Sequence, residues 1–175
     1  AGNFKDAGLE YTGALKVLQM IFSYEYLWIQ IRVKGGAYGC MCSFSDQGDS
    51  MFVTYRDPNL SESYKVYDEA ADYVADFDAD DRDMKKYIIG TIGSMDMPME
   101  AVDMGARSFH AYFLGKTEAD LQKVRDQVLS CTQEDIRALA PIVKAVVEAG
   151  NRCCIGNEEK IDQNKEFFVE VKHVL

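Results

Sequence analysis

The sequence predicts an α+β fold in which an antiparallel β-sheet is covered on one face by several α-helices. Three observations lead there. The elements run helix, hairpin, a block of helices and a late pair of strands, without the strand-helix alternation that builds a parallel sheet. Ser45-Asp46-Gln47-Gly48-Asp49 has turn chemistry and separates two short segments rich in aromatic and small apolar residues. Three helix starts further on each carry an oxygen-bearing cap with an acid three residues later: Asp80 with Asp83, Thr117 with Asp120, and Thr132 with Asp135. A length of 175 residues suits one domain with one core, so residues 1–175 are read as a single unit.

Taken in order, the first helix starts near Thr12 as N-cap and sets Ala14, Val17, Leu18 and Ile21 on one stripe, widened by Leu15 and Phe22. A second apolar run, Tyr26 to Ile31, leads into Arg32-Val33-Lys34-Gly35-Gly36-Ala37-Tyr38-Gly39, where three glycines in five residues mark a flexible or tightly turned loop. Cys40 to Phe44 and Ser50 to Tyr55 form the hairpin strands. Asp57 as N-cap and Pro58 at the first helical position open a helix carrying Tyr64, Tyr67, Ala71 and Val74 on one face, to about Asp76. After the capped helices, Arg152 to Ile155 and Phe167 to Val171 read as short strands around a polar, helix-like segment, Glu158 to Gln163.

Composition narrows the function classes. Net charge is −10, from 29 acidic against 19 basic residues, and such a field repels phosphate backbones and anionic membrane surfaces, so no nucleic acid and no membrane is expected as a partner. The apolar stretch Tyr24 to Ile31 contains Glu25 and Gln30 and falls far short of the roughly 20 residues a membrane helix needs. Five cysteines, two of them adjacent at Cys153 and Cys154, do not make a secreted disulfide framework and favour a reducing compartment.

Trp28-Ile29-Gln30-Ile31-Arg32-Val33-Lys34-Gly35-Gly36-Ala37-Tyr38-Gly39 resembles the Leu-Trp-x-x-Arg-x-x-x-Gly-Ala-Tyr-Gly stretch of presequence-protease-like enzymes, which are pitrilysin-type (inverzincin) zinc metallopeptidases. The likeness extends through Tyr55-Arg56-Asp57-Pro58-Asn59-Leu60 and Ile88-Ile89-Gly90-Thr91-Ile92-Gly93. This resemblance implies a C-terminal domain facing a peptide chamber, with zinc held by an H-x-x-E-H motif in the N-terminal catalytic domains of the same polypeptide and none bound by this chain. It implies that Arg32 and Tyr38 position the scissile peptide and stabilise its developing oxyanion, and that Gly35, Gly36, Ala37 and Gly39 form the substrate-binding loop. Peptide substrates follow, and the acidic balance suits cationic ones. So does a location in the cytoplasm of a bacterium, or in the mitochondrial matrix or another organelle of a eukaryote, and not outside the cell. A leading strand is expected before Gly2-Asn3-Phe4, which leaves an open sheet edge and predicts self-association of this piece. The resemblance equally allows a non-catalytic, structural or peptide-binding subunit of the same fold.

Other constellations fall short. A zinc site of this type needs two histidines one helical turn apart plus an acidic ligand, and the two histidines here are His110 and His173. Cys40 and Cys42 share one side of a strand, yet no C-x-x-C pair is present and they read as buried thiols. The acidic run from Asp76 to Asp81 has Asp81 where a calcium loop needs Gly and Tyr87 where it needs Glu, so it reads as helix capping. No G-x-S-x-G is present, and Met95, Met97, Met99 and Met104 read as core gap-fillers.

Overall fold

The computed structural model describes residues 1–173. Strand β1 (Gly2–Asn3) is followed by helix α1 (Ala14–Ile21), strands β2 (Gly39–Phe44) and β3 (Asp49–Tyr55), and helices α2 (Leu60–Asp68), α3 (Ala70–Ala75), α4 (Asp81–Met95), α5 (Ala101–Phe113), α6 (Glu118–Leu129), α7 (Gln133–Arg137), α8 (Ala140–Glu148) and α9 (Glu158–Asp162). The three strands form one antiparallel sheet in the order β1-β3-β2, as expected for the α+β class. In the hairpin, Cys40 faces Thr54, Cys42 faces Phe52 and Phe44 faces Ser50. Alternation then puts Cys42, Phe44 and Ser50 on the buried side and leaves Met41, Met51 and Tyr55 exposed on the other. β1 pairs only with Ser50 and Asp49, so Met51 to Tyr55 bond to β2 alone among the described residues.

The core forms where the apolar stripe of α1 meets the sheet. Leu15, Val17, Leu18, Ile21 and Phe22 are fully buried and share one cluster with Phe44, Val74, Val128, Ile136 and Val143. Gly13 occupies the cap position of α1, one residue after Thr12, and its amide donates to Gln127 Oε1 at 2.8 Å, tying the helix to α6. Beyond Ile21 the chain does not leave the helix. It continues as wider π-helical turns over Phe22–Tyr26 and Trp28–Lys34, so the second apolar run extends the same rod.

Capping chemistry is local and reads correctly. Thr117 with Asp120 and Thr132 with Asp135 close reciprocal capping boxes on α6 and α7, and Asp80 accepts from the Asp83 amide at the start of α4. The helix placed from Asp57 to about Asp76 differs in two respects. It begins at Leu60, with Asp57 accepting from the Asn59 amide and the Ser63 hydroxyl one turn early. It also breaks at Glu69, between α2 and α3, where the Tyr26 hydroxyl donates to the nearby Val66 carbonyl at 2.7 Å.

The two late strands are not formed. Arg152 to Ile155 runs without ladder pairing and is held by side chains: Arg152 Nη2 donates to both Asp68 carboxylate oxygens at 2.8 and 3.0 Å, and its guanidinium lies 4.9 Å over the Tyr64 ring. Phe167 ends a 3₁₀ turn, Lys165–Phe167, and packs with Phe168 against Tyr64, which leaves no alternating face for a strand. The polar segment between them is helix α9, capped by Asn157. The methionine reading also needs correction. Met95 packs against the core, whereas Met97, Met99 and Met104 are exposed, because they lie on or before α5, which buries no residue.

Candidate functional site

The site is built at the end of the π-helical rod. Its Gly35 amide donates to the Gln30 carbonyl five residues back, at 3.1 Å, and the turn then closes through the Gly36 and Ala37 amides on the Arg32 and Ile31 carbonyls. Glycine is required at two positions. A Cβ on Gly35 would lie 2.5 Å from the Ile31 carbonyl oxygen, and Gly36 has φ +76°, a conformation that costs a residue with a side chain. Gly39, at the start of β2, has open space around it and an ordinary backbone, so within this loop the backbone requires glycine at Gly35 and Gly36. Ala37 is buried beneath the loop. Gly36→Ala should lower stability by about 1 kcal/mol, read as a lower urea midpoint at unchanged m-value, while Gly39→Ala should not move it.

On this base Arg32 and Tyr38 stand together and open to solvent. Tyr38 is 66% exposed, and Arg32 Nε donates to the Tyr38 carbonyl oxygen at 3.1 Å. The Arg32 guanidinium also lies 3.9 Å over the indole of Trp28, one turn earlier on the rod. Such stacking holds the side chain in place while leaving its remaining N–H groups free to donate. Behind it, burial pushes the Cys40 thiol up, against the opposing pull of Arg32.

Tyr55-Arg56-Asp57-Pro58-Asn59 forms one unit with the glycine loop. The Tyr38 amide donates to the Arg56 carbonyl at 3.3 Å, the Asn59 side chain donates to the Gly35 carbonyl at 2.6 Å, and the Tyr38 and Tyr55 rings meet edge to face with centroids 5.9 Å apart. The Arg56 guanidinium lies 5.7 Å from the centre of the Tyr38 ring and 5.3 Å from that of Tyr55. Sequence reasoning placed Trp28, Tyr55 and Arg56 in matching stretches but assigned them no part in the site. Their signal is contact across the turn, which residue spacing does not carry. A groove of about 630 Å³, lined by Lys16, Met20, Tyr24, Trp28, Thr91 and Met95 among others, opens beside Trp28.

The residues present do not fit a zinc site. Among the described residues no group of three or more His, Cys, Asp or Glu side chains is arranged to hold a metal, and Cys42 is buried with its thiol pushed up to about 12 by desolvation. What the arrangement offers is a set of hydrogen-bond donors, two guanidiniums and a phenol, on aromatic supports.

Comparison with known proteins identifies what the chain as a whole is similar to. A family model described as the PreP C-terminal domain matches residues 1–157. The chain is 41% identical over 174 residues to Protein HypA of Clostridium perfringens, covering 99% of this chain and 18% of that protein. It is 34% identical over 179 residues to Presequence protease 1, chloroplastic/mitochondrial, of Arabidopsis thaliana, covering 100% of this chain and 17% of that protein. Against the mitochondrial presequence protease of Aspergillus fumigatus the identity is 34% over 148 residues, covering 83% and 13% respectively. The chain thus spans less than a fifth of the length of these relatives. By the family model and by these identities, the chain belongs to the presequence protease C-terminal domain family, within the pitrilysin-type metallopeptidases.

Proposed function

We propose that this chain is the substrate-binding C-terminal domain of a zinc metalloendopeptidase that degrades unstructured peptides in a closed chamber, and that Arg32 and Tyr38 hold the scissile peptide. The observation that carries this reading is the pairing of Arg32 and Tyr38 on an open face, joined by a 3.1 Å hydrogen bond and braced by Trp28, in a chain without a metal-ligand set among the described residues. Zinc, held by another domain of the same polypeptide, supplies the hydrolytic chemistry. Here the guanidinium and the phenol donate to the peptide carbonyl, whose oxygen gains negative charge as the bond is attacked, and donors fixed in advance lower the cost of that charge.

The test uses the 175-residue chain and a fluorescently labelled, unstructured cationic peptide. Anisotropy should report binding that Arg32→Ala weakens, and the chain alone should not cleave the peptide with zinc added. Cleavage by the chain alone, or binding indifferent to Arg32, overturns the assignment.

No described helix is long and apolar enough to cross a membrane. The proposed setting is the cytoplasm for a bacterial parent and the mitochondrial matrix or another organelle for a eukaryotic one. The open side of β3 from Met51 to Tyr55 offers backbone groups to a further strand. Sedimentation of the isolated chain should therefore show concentration-dependent self-association, and a strict monomer over a wide concentration range would rule this out.

A further inference from the structure

We propose that Arg56 is a specificity residue that takes a carboxylate of the bound peptide, an extension that rests on the substrate-binding reading above. Arg56 has φ +48° and is the one non-glycine residue with positive φ among the described residues. A side chain in that conformation is held at a cost, and such strain persists where the surroundings impose it and where function uses it. The local frame is plain: the Arg56 carbonyl is taken by the Tyr38 amide, and Pro58 restricts Asp57 to extended backbone, so the turn between β3 and α2 is set on both sides. Glycine or asparagine would meet this backbone requirement more cheaply, so a packing account does not explain why the position holds arginine.

The side chain itself points to a ligand. Its guanidinium rests near the faces of Tyr38 and Tyr55, at 5.7 and 5.3 Å, which places it beside the phenol proposed to hold the substrate. Arg125 and Arg152 have carboxylate partners at Asp96 and Asp68, and Arg32 and Arg137 donate to carbonyl oxygens. The Arg56 side chain has no hydrogen-bond or ion-pair partner among the described residues: the acid next to it in sequence, Asp57, is engaged with Asn59 and Ser63. A planar fork lying over two rings, with its donors unoccupied, is matched to the two oxygens of a carboxylate. The carboxylate can be an Asp or Glu side chain or the C-terminus of the peptide. Although the chain is acidic overall at −10, the Arg32 and Arg56 guanidiniums both stand beside Tyr38, so one acidic group can register here within an otherwise cationic peptide.

The experiment walks a single Glu through each position of a neutral, unstructured ten-residue peptide, pairs each with its Gln counterpart, and repeats the set with free and amidated C-termini. Binding to the 175-residue chain is read by anisotropy at low salt. At one position Glu should bind about two- to fivefold tighter than Gln, the scale of an exposed ion pair, and the gain should fade with added salt. If amidation removes the gain instead, the C-terminal carboxylate is the source. Arg56→Asn, which keeps a residue tolerant of positive φ, should erase the preference without lowering the melting temperature; Arg56→Lys should keep part of it, and Arg56→Glu should turn it toward a Lys-bearing peptide. Equal binding of every Glu, Gln, free and amidated pair by the wild-type chain overturns the inference. If the neutral peptide still loses affinity in Arg32→Ala in that case, the substrate-binding reading survives it; if no peptide binds at all, both fall.

Discussion

Replacing Arg32 by alanine in the polypeptide that carries this domain will lower turnover of an unstructured peptide by roughly a hundredfold to a thousandfold, the usual consequence of losing one donor to a developing oxyanion. The loss should fall on kcat and on kcat/KM together, because the proposed contact would strengthen as charge accumulates on the carbonyl oxygen. Structure limits the collateral damage. The Arg32 side chain is exposed, stacks on the partly exposed Trp28 and makes one hydrogen bond, to the Tyr38 carbonyl, so its removal leaves the core untouched. The melting temperature should accordingly stay within a few degrees of wild type, since substitutions on exposed surface usually change stability by about 0.5 kcal/mol or less. Tyr38→Phe removes only the hydroxyl and should give a loss of similar order, with the ring contact to Tyr55 kept. Unchanged kcat in both variants would remove the basis for the assignment. Arg32→Lys is informative because it keeps the charge but not the planar fork, and should recover only part of the rate.

Legibility in the sequence tracked the range of the interactions involved. The Thr117 and Thr132 boxes and the Asp80 cap were legible because donor and acceptor lie three residues apart. The hairpin was legible because its turn chemistry and its alternation agree. Arg152 to Ile155 has strand-like residues, yet its conformation is decided by Asp68 and Tyr64, more than 80 residues away, and no local pattern carries that. The rod beyond Ile21 was missed because a periodicity of 3.6 residues does not describe π-helical turns. At the candidate site, the matching stretch names Arg32, Tyr38 and the glycines, and the backbone need for glycine at Gly35 and Gly36 follows from the turn. The contacts of Arg56 were not legible, because they depend on a positive φ and on a ring 18 positions earlier in the chain.

The second large effect concerns what holds that rod against the sheet. Phe22→Ala should destabilise the chain by about 3–5 kcal/mol, a large share of the roughly 5–15 kcal/mol by which domains are ordinarily stable. Phe22 is fully buried, and its ring meets those of Tyr26, Phe44, Phe52 and Tyr73 at 5.8, 6.4, 5.7 and 6.1 Å, so one side chain joins the rod to β2, β3 and α3. Removing it leaves a cavity walled by rings that belong to separate elements, and these cannot all move in to fill it. The melting temperature should fall by about 6–20 °C, and Phe22→Leu should recover much of the loss by keeping most of the volume. The consequence reaches the site, because Phe22 opens the π-helical stretch that carries Trp28 and Arg32 to the surface. Below its melting temperature Phe22→Ala should therefore also bind peptide more weakly than wild type, whereas an equally buried change at Val143 on α8, away from the rod's end, should lower stability and leave affinity alone. If both variants lose affinity in proportion to stability, the rod has no special part in presenting Arg32, and the site depends only on the fold as a whole.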